Sequence, residues 1–260
     1  MIDLTIHTAG DALYAEVVLN NPKAMNSLAE ADLAELDAAY REAADNNVRA
    51  LFLRGEGKGF CAGRNIKGLD PRDDDATDYL ANKVTPVLRR MSQFPAPTFA
   101  AVHGPCLGVG LGLAIATDIV YVAEDATIGS PFANLGATLD SGGHALFVER
   151  LGAHRTMDLI VTADMMSGAE AVQAGLFSRF VPAQELVEFT RATVERAAQG
   201  ATRAFMASRA LVHDIRDNGT GLWASISDEN IAQGRLCSSP DYLEGFQAFN
   251  EKRVPKFTGE

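Results

Sequence analysis

The stretch from Ala96 to Asp125 constrains the fold more than any other. It reads as a strand, "APTFAAVHG", then a glycine-opened helix, "LGVGLGLAIATD", then a second strand, "DIVYVAED". Strand, helix, strand in sequence needs a crossover connection, so the order predicts an α/β core with mostly parallel pairing. "VRALFLRG" reads as another short buried strand. Two alternating segments at the start, "DLTIHTA" and "ALYAEVVLN", flank Gly10-Asp11 and predict a hairpin. "AEADLAELDAAYREAADNN" has helical spacing, with Leu33, Leu36 and Tyr40 on one face. From about Ala153 onward the chain reads as nearly all helical. The expected division is a core over 1–200 and a helical region over 201–260.

With 260 residues, 47% of them hydrophobic, the chain can bury one large core. Its net charge of -11 is the wrong sign for a nucleic-acid surface, and no such partner is expected. A small anionic ligand held by a few local cations remains compatible. Cys61, Cys106 and Cys237 form neither a disulfide framework nor a metal-ligand spacing, so no metal is expected. The acidic start "MIDLTIHTAGD" lacks the basic region of a signal peptide, and the longest apolar run is too short to span a bilayer. A cytoplasmic protein without membrane contact is expected.

Three glycine-rich stretches carry the candidate chemistry. "GKGFCAGRNIKG" (Gly57 to Gly68) follows a strand; its turn can aim backbone N–H groups at an anion, or it can be an ordinary strand-to-helix loop. "HGPCLGVGLGLA" (His103 to Ala114) leaves free N–H donors at a helix start, and His103 suits packing or capping better than catalysis. "LGATLDSGG" (Leu135 to Gly143) holds one carboxylate, Asp140. Among small apolar neighbours its pKa should rise toward that of a general base. Alternatively, Asp140 or Ser141 caps the helix "HALFVERLG".

Taken in order, these stretches resemble the crotonase superfamily, the enoyl-CoA hydratase/isomerase family, across nearly the whole chain. "NNPKAMNSL" is similar to its R-P-x-x-x-N-x-L loop, and "GKGFCAGRNIKG" to its F-C-A-G-x-D-L loop. "AAVHGPCLGVGLGLAIATDIVYVAEDATIG" resembles its central glycine block, and "SPDYLEGFQAFNEKRVPKFTG" its C-terminal helix and tail. The resemblance implies a spiral of ββα units with a helical C-terminal trimerisation region, assembled as a homotrimer or a dimer of trimers. It implies acyl-CoA thioester substrates, CoA being part of the substrate and no separate cofactor being used. It places two oxyanion-hole N–H donors on Arg64 and Val109. It puts Lys23, Ala24, Ala62, Asn65 and Ile66 along the adenosine and pantetheine. Phe249 and Lys252 would come from the tail of this or a neighbouring subunit. Nearby cations are Lys23, Arg64, Lys67, Lys252 and Arg253.

The departures sharpen the expectation. Family hydratases hold water between two glutamates, which belong at Gly112 and Phe132 in this sequence. Neither is present. Asp140 falls where other branches carry their essential acid, among them dienoyl-CoA isomerases, the ring-epoxide isomerase of phenylacetate breakdown and 4-chlorobenzoyl-CoA dehalogenase. The tail looks most like the phenylacetate branch. The resemblance thus makes Asp140 the active-site base, with Phe132 packed nearby. The expected activity moves a C=C bond from the 3-ene to the 2-ene of an acyl-CoA. Rival expectations are a hydratase pairing Asp140 with a second acid such as Glu149, a dehalogenase, and a non-catalytic acyl-CoA binder.

Overall fold

Gly10 takes φ +59° and reverses the chain between β1 (Ile2–Ala9) and β2 (Ala12–Leu19), which pair antiparallel as the alternation predicts. The computed structural model describes all 260 residues, Met1–Glu260. After the hairpin, α1 (Glu30–Asp45) buries Leu33, Leu36, Ala39, Tyr40 and Ala43, the apolar stripe read from the sequence. β3 (Leu51–Gly55) follows. α2 (Ala76–Asp78) then runs through a π-helical turn (Tyr79–Val84) into α3 (Thr85–Ser92).

Next come β4 (Thr98–Val102), β5 (Pro105–Leu107), α4 (Val109–Ile115), β6 (Ile119–Ala123) and β7 (Thr127–Gly129). A 3-10 turn (Phe132–Leu135) leads to α5 (Gly143–Leu151) and α6 (Ala153–Thr162). β8 (Met166–Ser167), α7 (Gly168–Gln173), β9 (Arg179–Val181) and α8 (Leu186–Ala198) complete the core. α9 (Thr202–Asn218), α10 (Leu222–Leu236) and α11 (Pro240–Glu251) follow it.

The strands form two sheets. The larger has the order β1-β2-β3-β4-β6-β9, parallel throughout except for the β1/β2 hairpin. The smaller has the order β5-β7-β8, and Cys61 extends it by a parallel bridge to Cys106. A repeat results. β3 lies in the large sheet, Cys61 in the small one, and then α2 and α3 follow. β4, β5 and α4 repeat the pattern, and β6, β7, α5 and α6 repeat it again. Each turn gives one segment to each sheet and then a helix, which is a ββα spiral. β3 and β4 are covered on both faces, so they read as continuous apolar runs rather than alternating ones. α8 packs across β2, β3 and β4, burying Leu186, Thr190, Val194 and Ala198.

The span after Ala153 is not all helical. "RFV" forms β9 beside β6, and "MS" forms β8. Runs of two or three residues are too short to show a period, and pairing with existing strands supplies their order. β5 is likewise hidden inside a glycine stretch that reads as loop. The core cluster runs from Ala9 to Ala198 and takes in no residue beyond it. α9 buries nothing and α10 only Ser225. Their apolar side chains, among them Leu222, Trp223 and Ile231, face solvent in the single chain.

Candidate active site

Asn26 ties the first two loops together. It is 1% exposed, and its amide donates to the carbonyls of Glu56 (2.9 Å) and Gly59 (2.8 Å). Its Oδ1 accepts from the Asn21 N–H at 2.8 Å. Beside it, the N–H of Ala62 donates to Met25 O (2.9 Å), that of Leu28 to Gly63 O (2.8 Å), and that of Asn65 to Leu28 O (2.9 Å). Residues 24–28 and 62–65 therefore run as a seam. Lys23, Ala24, Ala62, Asn65 and Ile66 lie along it; Ala24 and Ala62 are half-buried and the other three exposed.

The same loop is pinned on its other side to the second glycine stretch. The Cys61 N–H donates to Pro105 O and the Leu107 N–H to Cys61 O, each at 3.0 Å. Gly63 sits at φ +94°, and a Cβ there would lie 2.8 Å from Leu107 O and 3.7 Å from Val109 N. Only glycine permits that approach. It brings the backbone next to Arg64 against the start of α4. Val109 opens α4, so its N–H is one of the donors a helix leaves free. Neither the Arg64 N–H nor the Val109 N–H donates to another loop or to a side chain. Phe132 closes this side: a Cβ on Gly108 would meet its ring at 3.0 Å.

Asp140 is half-buried. Its carboxylate accepts from Ser141 Oγ at 2.7 Å, and its main-chain carbonyl accepts from the Gly143 N–H at 2.9 Å. The N-cap of α5 is Gly142, with no side-chain bond, so neither Asp140 nor Ser141 caps that helix. Burial pushes the Asp140 carboxyl above the ordinary carboxylate range; the Ser141 bond and the Arg64 charge oppose the shift without cancelling it. Gly112 seats this turn on α4. A Cβ at Gly112 would stand 2.4 Å from the Ser141 Cβ. The slot that the resemblance gives to a glutamate is filled by Ser141. A cleft of about 640 Å³ opens beyond this contact, lined by Gly112, Ser141, Arg89 and Glu149 among others. Glu149 is exposed on α5.

The Arg64 side chain is committed. Its guanidinium forks onto Asp74, with Nη1 to Oδ2 at 2.8 Å and Nη2 to Oδ1 at 2.7 Å. It also lies 3.8 Å above the centre of the Tyr79 ring. Asp74 belongs to the acidic stretch "DPRDDDATD", and its side chain is only 19% exposed. Tyr79 is buried and its hydroxyl has no partner. Burial pushes its pKa up to about 12, with the Arg64 charge lowering it and Asp140 raising it.

Other sequence candidates lie elsewhere. His103 shares a hydrogen bond between Nε2 and Gly57 O at 2.9 Å, a tie between loops. Phe249 is 82% exposed on α11 and lines a cleft with Tyr242, Phe246 and Phe257, away from the loops of Arg64, Val109 and Asp140. Lys252 is the exposed C-cap of α11. Of the five cations, Arg64 and Arg253 are occupied by carboxylates, Arg253 by Glu244 and Glu251. Asp74 and Tyr79 carry no signal in the sequence as site residues, because their meeting with Arg64 depends on the π-turn. Asn26 had one: an asparagine in a glycine-poor turn, here at φ +56°.

The enoyl-CoA hydratase/isomerase family model matches residues 11–260. A Rhodobacter capsulatus protein named "Probable enoyl-CoA hydratase" is 34% identical over 245 residues, covering 94% of each chain. The 1,2-epoxyphenylacetyl-CoA isomerase of Escherichia coli is 29% identical over 249 residues, again 94% of each. The crystal structure of an enoyl-CoA hydratase from Bacillus anthracis superposes with a TM-score of 0.88 at 27% identity, covering 99% of both chains. Spiral, loops and comparisons agree that the chain is a crotonase-fold enzyme. It belongs to the enoyl-CoA hydratase/isomerase family. No helix is long and apolar enough to cross a membrane.

Proposed function

We propose that the chain is an acyl-CoA isomerase that converts a 3-enoyl to a 2-enoyl thioester. One observation supports this most: a single half-buried carboxylate, Asp140, raised in pKa, on a turn that Gly112 seats against α4 where the hydratase pattern would place a glutamate. Asp140 takes the α-proton from C2. The electron pair moves into the thioester, whose oxygen becomes an oxyanion held by the N–H groups of Arg64 and Val109. Protonated Asp140 then delivers the proton to C4, leaving the double bond between C2 and C3. No water is consumed, so one acid–base group suffices. Preorganised donors of the Arg64 and Val109 kind contribute about 3 kcal/mol each in comparable sites.

In this reading the seam of Lys23, Ala24, Ala62, Asn65 and Ile66 receives the CoA moiety of the substrate, and no other cofactor is used. Phe249 and Lys252 reach a site only from the tail of a neighbouring subunit. That fits a homotrimer or dimer of trimers built on the open apolar faces of α9–α11. A second reading, hydration of a 2-enoyl-CoA, is favoured by the name of the Rhodobacter relative and by Glu149 lining the cleft beyond Ser141. Asp140→Asn decides the role of the carboxylate. It should lower isomerisation kcat by at least ~10²-fold while leaving CoA binding intact. Wild-type turnover by this variant sinks the mechanism, and so does efficient hydration of crotonyl-CoA by the native enzyme without any double-bond shift.

A further inference from the structure

Arg64 contributes a backbone N–H to the proposed oxyanion hole, yet its side chain points into a different set of contacts. Asp74 grips the guanidinium with two hydrogen bonds, and the Tyr79 ring supports its face at 3.8 Å. Three segments meet there: the 61–66 loop, the acidic segment 70–78, and the π-turn that begins at Tyr79. A bidentate fork fixes both distance and plane, and a ring beneath it removes the remaining rotation. Both side chains of the ion pair are about four-fifths buried, Arg64 21% and Asp74 19% exposed. The other titratable groups acting on Arg64 and Tyr79 are Glu30, Asp140 and the buried Cys61 thiol, and none pairs with the guanidinium. The remaining pair in this segment, Arg72 with Asp70, is a surface contact two residues apart, with Arg72 86% exposed.

The geometry points to Asp74 and Tyr79 as positioning residues that act through the Arg64 side chain to hold the Arg64 N–H in place for the thioester oxygen. The Gly63–Arg64 peptide is held on its carbonyl side, where Gly63 O accepts from the Leu28 N–H at 2.8 Å, and the fork adds a second hold on the Arg64 side chain. Gly63, at φ +94°, is the more flexible neighbour of that peptide, so a hold on the Arg64 side limits its remaining tilt. The brace also keeps the guanidinium on Asp74 and off Asp140, leaving the carboxylate free to accept a proton. Removing the Asp74 carboxylate loses both effects, whereas removing the guanidinium loses only the first.

This inference rests on the oxyanion role proposed for Arg64, and its test separates the two. The probe is a cinnamoyl-CoA with a para-dimethylamino group, whose absorption moves to the red when its carbonyl is polarised. Wild-type protein should shift it. Asp74→Asn should bind the probe with a similar Kd but lose at least half of the shift. Its isomerisation kcat should fall by ~10- to 100-fold, the scale of a misplaced oxyanion donor, with KM changed far less. Arg64→Met keeps the N–H and removes the fork, so it should lose the same share of the shift as Asp74→Asn. The double variant should be no worse than either single one, because both remove the same contact. Asp74→Glu, which retains a carboxylate, should recover part of the shift. Arg72→Gln is the control for charge in the same segment and should leave shift and kcat unchanged. Far-UV circular dichroism and melting temperature check that each variant is folded. A wild-type complex with no red shift defeats the oxyanion reading and the brace with it. A full shift and full kcat in folded Asp74→Asn or Arg64→Met defeats the brace alone.

Discussion

Replacing Gly112 with alanine tests how closely the proposed base is held. The added Cβ would stand 2.4 Å from the Ser141 Cβ, whereas carbon atoms settle at roughly 3.5–4.0 Å. Either α4 or the Asp140–Ser141 turn must retreat by about 1 Å. α4 is the less mobile partner, since all seven of its residues are buried. The turn therefore moves, and it carries the carboxylate with it. A displacement of this size at a reacting group costs about 10²-fold in rate. Overpacking should lower stability by about 1–3 kcal/mol, which a denaturant melt reads separately from turnover. The assay is the appearance of conjugated 2-enoyl-CoA from the 3-enoyl isomer. Ser141→Gly offers the rescue: Ser141 sits at φ +53°, a conformation glycine adopts freely, and losing its Cβ reopens the space. Combined with Gly112→Ala, it should restore most of kcat, read at a pH above the acidic limb because the Ser141 bond to Asp140 is lost as well. A Gly112→Ala enzyme with native kcat would show that the turn is not positioned by α4.

Asp140 sets a pH signature of its own. Its pKa is raised on folding, so the folded state holds its proton longer than the unfolded one, and stability falls as pH rises through the folded pKa. Asp140→Asn should therefore melt higher than wild type at pH 7, with the difference disappearing below the ordinary carboxylate pKa; an equal or lower melting temperature at pH 7 would contradict this. Tyr79→Phe removes a buried hydroxyl that has no partner, so stability should be unchanged or rise by about 1 kcal/mol, and a clear loss in a chemical melt would reveal a bond to the hydroxyl. Trp223, the sole tryptophan, is 79% exposed in one chain; its emission should be blue-shifted at concentrations where light scattering gives a trimer or hexamer, and a monomer at micromolar concentration overturns the assembly.

What was readable in the sequence follows from how each element is encoded. α1 and the β1/β2 hairpin carry their own period, and β3, β4 and β6 are runs buried on both faces, so local pattern was enough. β5, β8 and β9 have at most three residues each and owe their existence to neighbours in the sheets. The glycine loops could be located, because turns of that composition stand out, but two readings of Asp140 stayed open. Whether it caps α5 depends on where the helix begins, and Gly142 in a left-handed conformation takes that position. Asp74 and Tyr79 were out of reach for another reason. An acidic stretch looks alike whether it is solvated or folded onto an arginine ten residues upstream, and nothing local distinguishes the two.

The two N–H groups proposed for the thioester oxygen belong to the main chain, and this has a genetic consequence. Eighteen of the possible replacements at Arg64 or Val109 change a side chain and leave the donor nitrogen with its hydrogen; proline alone deletes it. At Val109 that exception is structurally cheap, because it is the first residue of α4, the one helical position that proline suits. A single codon there can silence the donor while the helix stays in place. Everything else about the trap is inherited with the path of the backbone, so the acids around it can be exchanged for new chemistry without the trap having to be built again.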